Sequence, residues 1–208
     1  MGLDQKSKSR CKDVPKPNRK QKWTGLRLAT WNVRTLRTGF GQDLTDVDGI
    51  RKTAVVDREL LRLRIDIAAL QETRLADAGE VKEEHYTFFW QGLGEDDRRI
   101  HGVGFAVHNK LISSVTTPEA KSARIISLQL STKLGMATIT SAYAPTLGDS
   151  EENKTRFYDD LREVVNSIPQ SSQLFLLGDF NSRVGADHHA WPSCLGRSEE
   201  HTSELQSL

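Results

Sequence analysis

The sequence predicts an α/β fold, on three observations. An amphipathic helical pattern over residues 51–64 runs directly into an apolar strand over 65–72. A second helical pattern, over about 151–167, is followed by a strand over 174–178. Four of the strands end in polar side chains. A helix that feeds a buried strand is the unit of α/β architecture. Polar groups beyond the carboxyl ends of strands mark where such folds place their sites, on a rigid scaffold with free side chains.

The first strand is "LRLATWN", residues 26–32, where Leu26 and Leu28 alternate with Arg27 and the run ends at Trp31-Asn32. Gly39, Gly41 and the polar residues between Thr38 and Asp48 predict a loop. The helix over 51–64 carries Val56, Leu60 and Leu63 on one face and Lys52, Asp57, Arg58 and Arg62 largely outside. "IDIAALQE" follows as a mostly apolar strand ending in Glu72. Strands over 102–108, 124–130 and 136–143 are separated by short polar or Gly/Pro connections, which predicts adjacent antiparallel neighbours. "APTLGDS" breaks the pattern, and Asp149 or Ser150 caps the next helix, with Phe157, Leu161, Val164 and Ile168 at helical spacing and Pro169 as its stop. In "LFLLGDFNSRVG" an apolar run delivers Asp179 and Asn181, which on an extended backbone point to the same side.

A chain of 208 residues supports one domain with a sizeable core. Charged residues at 27% and hydrophobic ones at 37% describe a soluble, globular protein. There is no long uncharged apolar run to span a membrane, and the polar start does not read as a signal peptide. Cys11 and Cys194 have no metal-ligand spacing and suggest no disulfide framework, so the expected compartment is intracellular and reducing. The net charge of +1 hides an asymmetry: residues 1–22 hold eight basic against two acidic residues, and the remainder 21 against 26. That head, with Lys16, Arg19, Lys20 and Lys22 among its bases, is expected to be a disordered tail that touches DNA phosphates or serves as a nuclear address. The alternative is a solvated leader with no specific partner.

Five stretches carry a resemblance. "ATWNVRTL", "LQETR", "HGVGFAVHNKL", "SAYAP" and "LLGDFNSRVG" occur in the order of the motifs of the endonuclease/exonuclease/phosphatase superfamily. They most resemble the endonuclease domain of non-LTR (LINE-type) retrotransposons and the craniofacial development protein 2-like sequences derived from it. The resemblance implies a four-layer αββα sandwich, DNase I-like, over residues 23–196, with the site at one end of two sheets. It implies a Mg²⁺- or Mn²⁺-dependent nuclease acting on DNA, with Glu72 as metal ligand helped by Asn32. Asp179 would orient or deprotonate the attacking water, Asn181 would bind phosphate beside it, and Tyr143 would donate a hydrogen bond to the phosphate or leaving group. Such chemistry requires an in-line water, charge neutralisation and a stabilised leaving oxygen, for which a hard cation needs only one or two carboxylates. Arg34 and Arg124 are candidate phosphate contacts.

Other readings stand beside these. The lesser alternatives are Asn32 as a simple turn cap and Tyr143 before Ala144-Pro145 as a packed aromatic, while Arg124 reads more readily as an ordinary strand-start arginine. Trp31, Leu70 and Phe180 read as core, and His101 and His108 as surface or structural residues. Other members of the superfamily act on phosphoinositides, sphingomyelin or nucleotides, and a non-catalytic DNA-binding role is a further rival.

The chain departs from the family after "GDFN". The resemblance calls for more strands, an Asp that supports a catalytic His, and a Ser-Asp-His-type end, so the sandwich is expected to be incomplete and a poor nuclease. Asp187, His188 and His189 lie only a few residues past the site strand and are not expected to substitute. "RSEEHTSELQSL", residues 197–208, has no apolar periodicity, resembles a translated sequencing-adapter oligonucleotide and is read as non-native.

Overall fold

The computed structural model describes residues 25–37, 51–94, 97 and 100–182. The basic segment 1–22 and everything after residue 182, including Asp187, His188, His189 and the adapter-like tail, lie outside the described residues.

Strand β1 (Leu28–Asn32) is followed by helix α1 (Lys52–Arg62) and strand β2 (Ile67–Gln71). β1 and β2 pair in parallel, from Leu28↔Ile67 to Asn32↔Gln71. A parallel pair needs a crossover, and α1 lies in that connection. β3 (Ala78–Lys82), β4 (Tyr86–Gln91) and β5 (Val103–His108) then extend the sheet by antiparallel pairing in the order β1-β2-β5-β4-β3. A 3-10 helix, Asn109–Ser114, leads to the second sheet. There β6 (Glu119–Ser122), β7 (Ile125–Thr132) and β8 (Gly135–Tyr143) pair antiparallel. Helix α2 (Glu151–Ser167) then carries the chain across to β9 (Gln173–Asp179), which lies parallel to β8.

Ser150 is the N-cap of α2: its Oγ accepts the Asn153 N–H at 3.2 Å. Glu151 and Glu152 in the first turn complement the helix dipole.

The two sheets stack face to face. Period-two alternation sorts their side chains: Ile67, Ala69, Val103, Phe105 and Val107 of the first meet Ile126, Leu128, Leu130, Ala137 and Ile139 of the second. On the outer face of the first sheet, Ala68, Leu70, Tyr86 and Phe88 are covered by Val56 and Leu60 of α1. On the outer face of the second, Ile125, Ala142 and Ala144 lie under Phe157 and Leu161 of α2. Each large side chain so buried contributes roughly 1.5–3 kcal/mol. The result is the four-layer αββα sandwich. Among the described residues no helix is long and apolar enough to cross a membrane.

Several expectations need correction. Asp57 of α1, expected outside, is buried and accepts the His85 and Tyr86 backbone N–H groups, while Leu63, expected on the apolar face, is exposed. The strands over 102–108, 124–130 and 136–143 are not three neighbours. β5 belongs to the first sheet, between β2 and β4, and the 3-10 helix and β6 fill the chain that crosses to β7. β3, β4 and β6 were also not anticipated. β4, "YTFFWQ", carries a strong aromatic signal, whereas β3 and β6 are mostly exposed edge strands with little apolar pattern to read.

Candidate active site

β1, β2, β8 and β9 bring their carboxyl ends to one end of the sandwich. Beneath that end runs a polar ladder: Thr30 Oγ1 donates to Gln71 Oε1 at 3.0 Å, Gln71 Nε2 donates to Ser141 Oγ at 3.1 Å, and Ser141 Oγ donates to the Leu70 carbonyl at 3.3 Å. These bonds join β1 and β2 to β8 and fix the register of one sheet over the other. Gly178 sets the last strand: a Cβ there would lie 2.1 Å from the Ala142 carbonyl oxygen. Only glycine admits that approach, which pairs Asp179 with Tyr143.

Glu72 follows β2 with φ +54°, and Arg74 shares that value. Left-handed backbone costs a non-glycine residue about 1–2 kcal/mol, so neighbours must hold it. Val33 N–H donates to the Gln71 carbonyl at 3.0 Å on one side, and Thr73 N–H to the Gly102 carbonyl at 3.1 Å on the other. Arg34 and Asn181 are left-handed too, at +57° and +47°. Strained backbone thus gathers around one point, as it does at functional sites.

Asn32 is the hub. Its Nδ2 donates to Glu72 Oε1 at 2.7 Å and to Asp179 Oδ2 at 3.0 Å, while its Oδ1 accepts the Arg34 N–H at 3.0 Å. That last bond decides which end of the amide faces the carboxylates. The Tyr143 hydroxyl donates to the same Glu72 Oε1 at 3.1 Å. Asp179 Oδ1 accepts the Asn181 N–H at 3.0 Å, and Asn181 Nδ2 donates to the Ala144 carbonyl at 2.7 Å. All five residues expected from the sequence therefore form one connected cluster.

Asn181 enters it differently from expectation. β9 ends at Asp179, so the backbone is not extended between the two residues. Asn181 turns left-handed, meets Asp179 through its backbone N–H, and sends its side chain to Ala144.

Burial pushes Glu72 upward, but hydrogen bonds from Asn32, Arg74 and Tyr143 outweigh it and hold the carboxyl below its ordinary value. Burial, then the Glu72 charge, raises Tyr143 above the usual phenol value, so it remains a donor at neutral pH.

Arg124 is largely buried rather than turned toward solvent. It donates through Nη1 to the Tyr143 carbonyl at 3.1 Å and through Nη2 to Asp149 Oδ2 at 3.3 Å. Its Nη2 also lies 2.9 Å from His101 Nε2, and its guanidinium carbon stands 5.4 Å from the centre of the Tyr143 ring. A guanidinium only donates, so His101 accepts and is neutral, in line with burial and the Arg124 charge holding it below its ordinary value. Arg34 is exposed. Lys16, Arg19, Lys20 and Lys22 lie outside the described residues.

Sequence reasoning missed Arg74, whose Nη2 lies 2.6 Å from Glu72 Oε2. It also missed the Thr30–Gln71–Ser141 ladder, which has no local signal because its partners lie up to 70 positions apart. Among the described residues no group of three or more His, Cys, Asp or Glu side chains is placed to hold a metal ion.

The family model described as Endonuclease/Exonuclease/phosphatase family matches residues 29–205. Craniofacial development protein 2 of Bos taurus and of Tragulus javanicus are each 30% identical over 171 residues, or 82% of this chain. The chain spans about a quarter of the length of these curated relatives, 26% and 27%. Among solved structures, D. rerio TDP2 complexed with single strand DNA product is 13% identical with a TM-score of 0.47, covering 79% of this chain and 64% of that one. The endonuclease domain of TRAS1, a telomere-specific non-LTR retrotransposon, is 17% identical with a TM-score of 0.44, covering 64% and 56%. On the extent of the family match and the identity to these relatives, the chain belongs to the endonuclease/exonuclease/phosphatase family.

Proposed function

We propose that this chain is a divalent-metal-dependent phosphodiesterase of DNA, of the kind carried by non-LTR retrotransposons. The observation that supports it most is the Asn32 amide nitrogen held between two carboxylates, Glu72 and Asp179, with the Tyr143 hydroxyl on the same Glu72 oxygen. The DNA substrate rests on the retroelement form of "TWNVRTL" and on the basic segment 1–22, which also suits a nuclear protein.

The donor set fits Mg²⁺ or Mn²⁺. Two carboxylates and carboxamides supply hard oxygen atoms, and a small cation of this class completes its shell with water and substrate phosphate. Glu72 would hold the ion. Asn32 faces Glu72 with its nitrogen, so ligation through Oδ1 requires the amide to turn away from the Arg34 N–H. When bound, such an ion polarises the phosphodiester and neutralises the charge that develops on it.

The remaining roles belong to the chain's own groups. Asp179 orients the attacking water or takes its proton, and is itself oriented by Asn32 and by the Asn181 N–H. Tyr143, kept protonated, would turn its single hydroxyl hydrogen from Glu72 Oε1 to a phosphate or leaving-group oxygen. Asn181, held at the Ala144 carbonyl and reaching the Tyr143 hydroxyl, would present its amide to a phosphate oxygen beside the one that Tyr143 engages. Arg124, Asp149 and His101 hold Tyr143 from behind through its carbonyl and ring.

Turnover by this set is slow. Of the described histidines, His85 and His108 lie beside Asp57 and Asp66 at the opposite end of the strands, and His101 is engaged by Arg124. A positioned general acid–base group is worth about 10²–10⁴ in rate. The test is prolonged incubation with supercoiled plasmid. The expected result is slow, EDTA-sensitive nicking that is lost in Asp179→Asn. Nicking that survives both EDTA and that substitution would place the activity elsewhere.

A further inference from the structure

We propose that Arg74 is a built-in counter-cation for Glu72, which yields its place to the divalent ion and is thereby released onto a phosphate oxygen of the substrate. This rests on the reading of Glu72 as the metal-holding carboxylate.

The two oxygens of Glu72 are not equivalent. Oε1 takes two neutral donors anchored on the scaffold, Asn32 Nδ2 at 2.7 Å and the Tyr143 hydroxyl at 3.1 Å. Oε2 has one partner among the described residues, Arg74 Nη2 at 2.6 Å. An incoming cation therefore meets the guanidinium at the one oxygen not already doubly engaged. Two positive groups on one carboxylate oxygen repel each other strongly in a partly desolvated site, so binding of the ion and departure of Arg74 are coupled.

Arg74 is built to leave. Its side chain is 42% exposed while that of Glu72 is 15% exposed, so it lies on the solvent side of the carboxylate. It touches Glu72 end-on through a single nitrogen, and its Nε is buried with no hydrogen-bond partner among the described residues. An arginine used only to brace a carboxylate satisfies its fork; this one leaves a donor unmet. A phosphate offers the bidentate geometry that the present contact lacks. Arg124, by contrast, is already committed to Tyr143, Asp149 and His101.

The test measures Mn²⁺ alone by calorimetry on the full chain, then dimethyl phosphate on the Mg²⁺-loaded protein by phosphorus NMR. Wild type, Arg74→Gln and Arg74→Lys are compared, each checked for an unchanged thermal melt. Arg74→Gln should bind Mn²⁺ about threefold tighter or more, because the competing charge is gone, and dimethyl phosphate about tenfold weaker. Arg74→Lys keeps the charge without the fork, so its Mn²⁺ affinity should stay near wild type while dimethyl phosphate still weakens. Mn²⁺ affinity unchanged or weakened in Arg74→Gln, with wild type binding the ion, would overturn this inference alone and leave Arg74 a structural partner. No Mn²⁺ bound by wild type would overturn the reading of the site itself.

Discussion

Asn32 and Asp179 meet at 3.0 Å across 147 positions of sequence. The bond ties the first strand of one sheet to the last strand of the other, so the site is a property of the assembled sandwich and of no single segment. Changes that shift the stacking of the two sheets should therefore disturb the site before they disturb the fold.

Gly178→Ala is the sharpest such change. The added methyl would stand 2.1 Å from the Ala142 carbonyl oxygen, so β9 must move off β8. Overpacking of this kind costs about 1–3 kcal/mol. A thermal melt should show that loss, and Asp179 should be displaced from Asn32. A variant as stable as wild type would show that β9 is less firmly seated than described.

The buried ladder gives a second prediction. Ser141→Ala leaves Gln71 Nε2 without its acceptor in the interior, a loss of about 1–3 kcal/mol. Chemical denaturation should show it, and the loss should shrink when Gln71→Leu is added, because the stranded donor is then gone. Strict additivity of the two changes would argue against a shared network.

Acid stability should depend on Glu72. Its folded carboxyl titrates below the ordinary value, through the donors Asn32, Arg74 and Tyr143 acting against burial. The unfolded chain therefore takes up this proton first as pH falls. The stability contributed by ionised Glu72 is present above the unfolded value and is lost as pH drops through the folded one. Urea midpoints measured from pH 7 to 3 should fall less steeply in Glu72→Gln than in wild type. Parallel curves would remove Glu72 from the acid limb.

The alkaline limb should depend on two tyrosines. Tyr86 is pushed up to about 12 by burial and by the nearby Asp57 and Asp66 charges, and Tyr143 is raised by burial and Glu72. The unfolded chain ionises first, so stability falls as pH rises past the ordinary phenol value. Tyr86→Phe and Tyr143→Phe should each flatten that decline. An ultraviolet titration in which all phenols ionise together at the ordinary value would contradict both assignments.

The class of fold and the polar residues at the strand ends were legible because they rest on local signals, whereas the roles of those residues came only from the resemblance. Leu28, Ile67 and Ala69 repeat at the strand period, Val56 and Leu60 at the helix period, and the polar group ending each run is visible without a partner. The assignment of β5 was not legible, since pairing with β2 or with β7 depends on a crossover that no local pattern encodes. Asn181 was misread because extended geometry was carried two residues beyond Asp179, past the turn at φ +47°. Arg74 was hidden for the same reason: two residues from Glu72, it reaches the carboxylate because both are left-handed, and glutamate and arginine rarely announce that conformation. The roles of Lys16, Arg19, Lys20 and Lys22 rest on charge alone.

The proposed function stands or falls on Glu72, steadied by Asn32 and Tyr143, holding a divalent cation. Titration of Mn²⁺ into wild type and Glu72→Gln, followed by the paramagnetic signal of the free ion, tests it most directly. The expected result is one weak site in wild type and its loss in Glu72→Gln, with the variant still folded. Equal binding by the two proteins would contradict it.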